Sequence, residues 1–253
     1  MWPFPRVIAH RGGGTLAPEN TLAGLRCGLE HGYRAVEFDV MLAADGVPVL
    51  MHDPAFGRTV PGIGNVSDTS AKLLATMDAG SWFGPKFAGE PVPSFADVIA
   101  FCDENGIWMN AEIKPSPGYA ADTGRAAAAV LKQMLAEQGG TQRIMPLFSS
   151  FSPEALMAAR DIAPEIPRGL LIGQVPDDWQ ARLEQVGAMA LHTNYRNLKE
   201  DQAKAIKDAG FGLFCYTVDD PEIARRLLDW GVDAFCTDRV DVIGADFATE
   251  RNS

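Results

Sequence analysis

Short apolar runs alternate with stretches of helical hydrophobic spacing along most of the 253-residue chain. Runs typical of strands occupy positions 7–10, 35–40, 108–114, 144–150, 168–173, 188–194, 212–218 and 233–238. Helical patterns lie between them, at 21–30 and near 94–105, 123–138, 152–163, 177–186, 198–209 and 220–230. Strands that alternate with helices in this way predict a parallel sheet covered by helices.

One further apolar run, at 47–52, interrupts this order because it follows the second strand after only the turn Asp45-Gly46. A parallel crossover needs a dozen or more residues, so this run must fold back as an antiparallel hairpin strand. The other eight strands predict a (β/α)8 barrel, a fold that usually takes roughly 250 residues. We therefore expect an α/β protein, a single TIM-barrel domain over residues 1–253 with the hairpin at its C-terminal rim.

Residues 54–93 have weak periodicity and are rich in Gly, Pro, Ser and Asp, so we interpret them as an insertion after the second strand. A loop of this length in a compact domain is usually functional, for example part of a rim or lid. The alternative is a structural loop that its aromatic pair, Trp82-Phe83, anchors to the barrel. We favour the functional interpretation.

The hairpin also relates His52 to the acidic residues of the second strand. A two-residue Asp45-Gly46 turn would place Asp39 opposite His52, and the other tight register of the same parity would place Glu37 there. Both registers put His52 on the face that carries the two carboxylates. A slip of one residue would put it on the opposite face.

Composition narrows the class of partner. The net charge is −11, from 33 acidic and 22 basic residues, which disfavours nucleic acid and anionic membranes as partners. The four cysteines form no CxxC pair and read as small buried hydrophobes in a reduced compartment. We see no signal-peptide pattern and no apolar run near the ~20 residues of a membrane span. We expect a cytoplasmic protein without stable membrane association, and its oligomeric state stays open.

Acidic residues collect where the predicted barrel strands end, which is the side of such a barrel that carries the active site. Alternation puts Glu37 and Asp39 on one face of the second strand, and Glu112 and Lys114 on one face of the third. Three carboxylates at one mouth repel each other unless a cation joins them. Oxygen ligands favour Mg²⁺, Ca²⁺ or Mn²⁺ over zinc.

Two histidines and two cationic residues complete this constellation. His10 and Arg11 end the first strand, and His52 ends the hairpin. A histidine pair can divide the roles of general base and general acid near neutral pH. Arg11 and Lys114 supply the local positive charge that a phosphate needs in an acidic protein. Each residue alone has an ordinary structural explanation, but their convergence at one mouth predicts a metal-dependent phosphodiesterase.

Seven short motifs follow one another along nearly the whole chain: His10-Arg11-Gly12, Pro18-Glu19-Asn20-Thr21, Glu37-Phe38-Asp39-Val40, His52-Asp53, Glu112-Ile113-Lys114, Thr217-Val218 and Thr237-Asp238. In order and spacing they resemble the motif series of the glycerophosphodiester phosphodiesterases. Residues 9–21, 78–82 and 167–171 are most similar to the cytosolic bacterial branch, which is associated with glycerol-3-phosphate uptake. Tyr216 and Asp219 depart from the Trp and Asn that are frequent there, which puts specificity on the glycerol or the alcohol side of the pocket in doubt.

The resemblance implies a metal site and a substrate. Glu37, Asp39 and Glu112 would bind one divalent cation, Mg²⁺ or Ca²⁺, with Mn²⁺ as a further candidate. The substrate would be a small glycerophosphodiester, hydrolysed to sn-glycerol 3-phosphate and an alcohol.

The resemblance also implies roles for the remaining site residues. His10 and His52 would be the acid/base pair, in an order that stays open. Arg11 would hold a phosphate oxygen, and Lys114 would lie near the phosphate or the metal ligands. Glu19 would support the site from the first βα loop; its alternative is a charge in the first turn of a helix.

Two routes fit this chemistry: attack by the glycerol 2-hydroxyl through a cyclic phosphate, or direct attack by water. Two other functions remain to be separated from it. A lipid-directed phosphodiesterase of the phospholipase or sphingomyelinase D type should show an apolar membrane-docking surface. A non-catalytic barrel that binds phosphorylated metabolites would have no need for both histidines.

Overall fold

The computed structural model describes residues 2–137 and 144–249. Its strands, in chain order, are β1 Val7–His10, β2 Ala35–Leu42, β3 Pro48–Leu50, β4 Trp108–Ile113, β5 Leu147–Ser150, β6 Arg168–Ile172, β7 Ala190–Asn194, β8 Gly212–Tyr216 and β9 Ala234–Thr237. All except β3 pair in parallel, in the order β1-β9-β8-β7-β6-β5-β4-β2, and the β1–β2 pairing closes the barrel. The predicted (β/α)8 barrel with one extra strand is confirmed.

Helices follow the strands around the outside of the barrel. They are α1 Leu22–Glu30, α2 Ala71–Leu74, α3 Phe95–Glu104, α4 Ala120–Glu137, α5 Pro153–Ile162, α6 Trp179–Val186, α7 Glu200–Asp208 and α8 Pro221–Asp229. Side chains of Thr21, Ser152 and Asp220 accept hydrogen bonds from the first turns of α1, α5 and α8. The helix predicted over 123–138 is α4, although position 138 lies outside the described residues.

The main apolar core lies between the barrel and these helices. Phe38, Ile99, Leu131 and Leu191, all at most 1 % exposed, belong to it. A second cluster packs the insertion, 54–93, against the hairpin formed by β2 and β3. In the described part of the chain, no helix is long and apolar enough to cross a membrane.

The hairpin register differs from the prediction by one residue. Met41 pairs with Val49, and the Met51 amide donates to the Asp39 carbonyl at 3.2 Å, so Asp39 faces position 51 rather than His52. The turn therefore has three residues, 44–46, and its third is Gly46 at φ +78°. That left-handed residue closes a longer turn than the Asp45-Gly46 pair predicts.

The prediction that His52 lies on the carboxylate face of the hairpin ladder is therefore wrong. Its ring nevertheless lies at the same cavity as two of the carboxylates. β3 ends at Leu50 and the chain bends at His52, so strand alternation no longer determines where this ring points. The bend brings the imidazole to the cavity that Glu37 and Glu112 also line.

Candidate active site

A cavity of about 160 Å³ opens at the C-terminal mouth of the barrel. Its upper wall carries both predicted histidines, His10 and His52, together with Glu37, Glu112 and Lys114. Strand geometry explains the convergence, because β1, β2 and β4 are neighbours and their inward residues lie at similar heights.

Three buried carboxylates meet at this mouth. Asp39 and Glu112 are register partners on β2 and β4, and Glu37 lies two residues before Asp39. One oxygen from each of the three lies within 4.8 Å of the others. Among the described residues, no other set of three or more His, Cys, Asp or Glu side chains lies close enough to share an ion.

Burial and mutual repulsion act strongly on two of these carboxylates. Desolvation, with the charge of Asp39, raises the pKa of Glu37 to about 7, and the same causes raise that of Glu112 well above its usual value. The Glu112 Oε1 atom is buried and has no hydrogen-bond partner among the described residues. A divalent cation would stabilise the ionised forms of Glu37 and Glu112 and give the buried Oε1 atom a partner. The residues present therefore fit a hard-cation site.

Asp39 is the exception, because protein cations already surround it. Lys114 Nζ lies 3.3 Å from one carboxylate oxygen and Arg11 Nε lies 3.4 Å from the other. Asn20 holds the same residue twice: its Nδ2 donates to Oδ2 at 2.8 Å, and its Oδ1 accepts from the Asp39 amide. These partners outweigh desolvation, so the pKa of Asp39 is lowered.

His10 is oriented by the barrel itself. Its Nδ1 lies 2.7 Å from Asp238 Oδ1, which follows the neighbouring strand β9, and its Nε2 lies 3.7 Å from Glu37 Oε2. Burial opposes protonation, but the hydrogen bond to Asp238 and the charge of Glu37 outweigh it and raise the pKa of His10. A protonated His10 is a proton donor.

His52 is oriented from the rim. Its Nδ1 lies 2.7 Å from Oδ1 of the adjacent Asp53, whose Oδ2 accepts from Arg58 Nε at 2.5 Å. Desolvation, assisted by the charge of Arg11, lowers the pKa of His52 although Asp39 and Asp53 oppose it. A neutral imidazole at this position is a proton acceptor.

Glu19 joins two arginines of the mouth, Arg11 and Arg58. It accepts from Arg11 Nη1 at 2.9 Å and from both terminal nitrogens of Arg58 at 2.7 Å. Its carboxylate therefore orients these two arginines. With Glu19, the structure brings all eight predicted site residues to one mouth.

The insertion contributes to this mouth as well as packing on the hairpin. Arg58 comes from it, and Trp82 and Phe83 line a second hollow beside His10 and Arg11. The indole of Trp82 is 42 % exposed and its ring lies edge-on to that of Phe83. These contacts favour the functional interpretation of residues 54–93 over the structural one.

Sequence reasoning missed four residues that hold the site together. Asp53 and Asp238 belong to the motif series, but no role was predicted for them. An acid next to a catalytic histidine is a signal that could have identified Asp53. Asn20 was part of the motif series without a role, yet at φ +57° it turns its side chain to Asp39. Arg58 carried no signal, because its position depends on the path of an aperiodic segment.

Known proteins match this chain over most of its length. The model of the Glycerophosphoryl diester phosphodiesterase family matches residues 10–242. A glycerophosphodiester phosphodiesterase of Caldanaerobacter subterraneus subsp. tengcongensis is 34% identical, over 92% of this chain and 93% of that protein. One of Bacillus subtilis is 28% identical over 93% of this chain and 84% of its own length.

A solved structure agrees with these matches. A phosphodiesterase of Oleispira antarctica, in complex with the product sn-glycerol-3-phosphate, superposes with a TM-score of 0.86 at 39% identity. The superposition covers 92% of this chain and 93% of that one.

Proposed function

Since the chain belongs to the glycerophosphoryl diester phosphodiesterase family, we propose that its two histidines hydrolyse glycerophosphodiesters to sn-glycerol 3-phosphate and an alcohol. The observation that carries this proposal is the placement of His10 and His52 on one cavity with Glu37 and Glu112, whose carboxylate oxygens lie close to that of Asp39. The product bound to the Oleispira antarctica relative supports the same substrate class.

Glu37, Asp39 and Glu112 hold one divalent cation, Mg²⁺ or Ca²⁺, with Mn²⁺ as a third candidate. When bound, this ion supplies Lewis-acid stabilisation of the charge that develops on the phosphate. Arg11 and Lys114 add positive charge at the same mouth, and Glu19 keeps Arg11 in position.

The surroundings of the histidines support an assignment of their roles. His52, kept neutral by burial and nearby cations, removes a proton from the attacking hydroxyl, either the glycerol 2-hydroxyl or water. The hydroxyl oxygen bonds to phosphorus as the bond to the leaving alcohol breaks, and His10 donates its proton to that alcohol. If the 2-hydroxyl attacks, water then opens the cyclic phosphate, with the histidines exchanging roles.

The test is a direct assay. Glycerophosphoethanolamine is incubated with the enzyme and sn-glycerol 3-phosphate is detected by a coupled reaction, with Mg²⁺, Mn²⁺ or Ca²⁺ and with EDTA. We expect product only with a divalent cation. Turnover that EDTA leaves unchanged would refute the metal site, and binding without turnover would favour the non-catalytic barrel.

The partner of the enzyme in this proposal is a small molecule. The cytoplasmic location stays a prediction that cell fractionation can test. Comparison of glycerophosphoethanolamine with a lysophospholipid in the same assay separates this substrate class from a lipid substrate.

A further inference from the structure

Three further polar side chains line the catalytic cavity: Asn110, Ser149 and His192. Asn110 lies on β4 two residues before Glu112, and Ser149 on β5 is the register partner of Glu112. His192 is on β7, and its ring stacks on Phe214 at 4.5 Å between centroids. We call these three residues the polar floor.

The polar floor is buried, and much of its hydrogen-bonding capacity is unused within the protein. The three residues are at most 1 % exposed. Asn110 Oδ1, Ser149 Oγ and both ring nitrogens of His192 have no partner among the described residues. Buried polar atoms of this kind are nearly always hydrogen-bonded in native proteins, so their partners belong in the cavity that they line.

The chemistry of the polar floor selects one class of group. Burial lowers the pKa of His192 to about 3, so the ring is neutral and offers one donor and one acceptor. Asn110 and Ser149 add a neutral acceptor and a hydroxyl. Neutral groups that both donate and accept match alcohol hydroxyls, whereas an anion or a cation would meet no opposite charge here.

The neighbours of His192 keep its ring in this position. A Cβ atom on Gly169, at the adjoining strand β6, would collide with Nε2, so glycine leaves the room that the imidazole needs. Phe214 supports one face of the ring. The ring is therefore held in one orientation in the wall of the cavity that it lines, as a recognition site requires.

We propose that the polar floor binds the terminal free hydroxyl of the glycerol moiety while the phosphate lies at the carboxylates, Arg11 and Lys114. This inference rests on the proposed function and adds the residues that recognise glycerol. A diester whose glycerol carries an acyl chain has no hydroxyl to offer at the acylated carbon. It would leave polar atoms of the floor unpaired, so the site discriminates against acylated lipids.

The test compares two ligands that differ only in the hydroxyls. The dissociation constants of sn-glycerol 3-phosphate and n-propyl phosphate are measured by calorimetry on the metal-loaded wild type and on Ser149→Ala and His192→Phe. The control is Thr193→Val, since Thr193 is also buried, adjoins His192 on β7, and is not among the residues that line the cavity. Thermal melts check folding, and Ser149→Ala carries the test if His192→Phe does not fold.

We expect the wild type and Thr193→Val to prefer the glycerol ligand by about tenfold, and each floor variant to lose roughly three- to tenfold of that preference. Equal ligand ratios in the wild type and both floor variants would overturn the inference. The proposed function would still stand if the wild type released sn-glycerol 3-phosphate from glycerophosphoethanolamine. A wild type that hydrolyses no glycerophosphodiester would refute the proposed function, and this inference with it.

Discussion

The two histidines share one cavity but are held by different regions of the molecule. On the barrel side, His10 ends β1 and its partner Asp238 follows the adjacent strand β9. On the rim side, His52 follows the hairpin and its partner Asp53 is held by Arg58 of the insertion. The barrel side rests on strand pairing, whereas the rim side rests on side-chain contacts between loops.

This difference in support coincides with a difference in electrostatics. Burial, with the charges of Arg11 and Lys114, lowers the pKa of His52 although Asp39 and Asp53 oppose it. At His10, Asp238 and Glu37 outweigh burial and raise the pKa. An acid and a base need opposite environments to coexist at one pH. The two histidines therefore have the opposite pKa shifts that acid–base catalysis requires.

The strongest way to break the comparison is to remove each histidine and vary the leaving group. On glycerophosphoethanolamine, His10→Ala and His52→Ala should each lower kcat by roughly 10²- to 10⁴-fold. On a glycerophosphodiester with a p-nitrophenol leaving group, His10→Ala should recover much of the loss, because this alcohol leaves without a proton. His52→Ala should remain impaired on both substrates. Recovery by His52→Ala alone would reverse the assigned roles.

A second prediction concerns the arginine of the rim side. Arg58→Met should lower kcat by roughly 10- to 100-fold, the usual effect of losing a residue that orients a catalytic group, with metal affinity unchanged. Arg58→Lys should recover only part, since lysine cannot bind Asp53 and Glu19 together through one planar group. Added guanidinium should partly restore the Met variant. The matched control is Arg26→Met, which removes an exposed ion pair to Glu90; an equal loss there would show a general effect on the rim.

These two regions also differ in how far sequence could predict them. On the barrel side, two-residue alternation and the rule that active sites lie at the C-terminal ends of strands were enough to bring Glu37, Asp39, Glu112 and His10 together. The positions of the strands could be predicted too, because short apolar runs mark them. Strand pairing in a barrel leaves little freedom once the strands are assigned.

The rim side could be predicted only in part, because tertiary contacts decide it. Whether the hairpin turn has two or three residues changes the face of every following side chain. Here the Asp45 carboxylate accepts from the Ala71 amide at the start of α2, a contact between the turn and the insertion that no local pattern encodes. The ion pairs of Arg58 depend likewise on the path of an aperiodic segment.

A third prediction sharpens the electrostatic side of the comparison through the metal. In the metal-free protein the pKa of Glu37 is raised to about 7, so a proton occupies it at lower pH and competes with the cation. Affinity for Mn²⁺ should therefore weaken by about tenfold between pH 8 and pH 6, with proton release on binding. Calorimetry in two buffers of different ionisation enthalpy measures both. Glu37→Gln should bind more weakly at pH 8 with a flatter pH profile, whereas an unchanged slope would remove Glu37 from the site.

The smallest expected effect tests whether the two regions depend on separate supports. Gly46 and Gly32 both have positive φ, +78° and +86°, and a Cβ on either would meet nothing within 4 Å. Alanine at each position should therefore cost a similar ~1 kcal/mol of unfolding free energy, from backbone strain alone. Gly46 closes the hairpin turn, whereas Gly32 follows α1.

If the rim side has its own support, only Gly46→Ala should affect catalysis, by roughly twofold in kcat, because loosening the hairpin misplaces His52. Gly32→Ala should lower the melting temperature by the same amount and leave kcat unchanged. Chemical denaturation and steady-state kinetics on both variants make the comparison. Equal kinetic losses would mean that the hairpin and the barrel loosen as one unit, and the division into two sides would then describe contacts but not energetics.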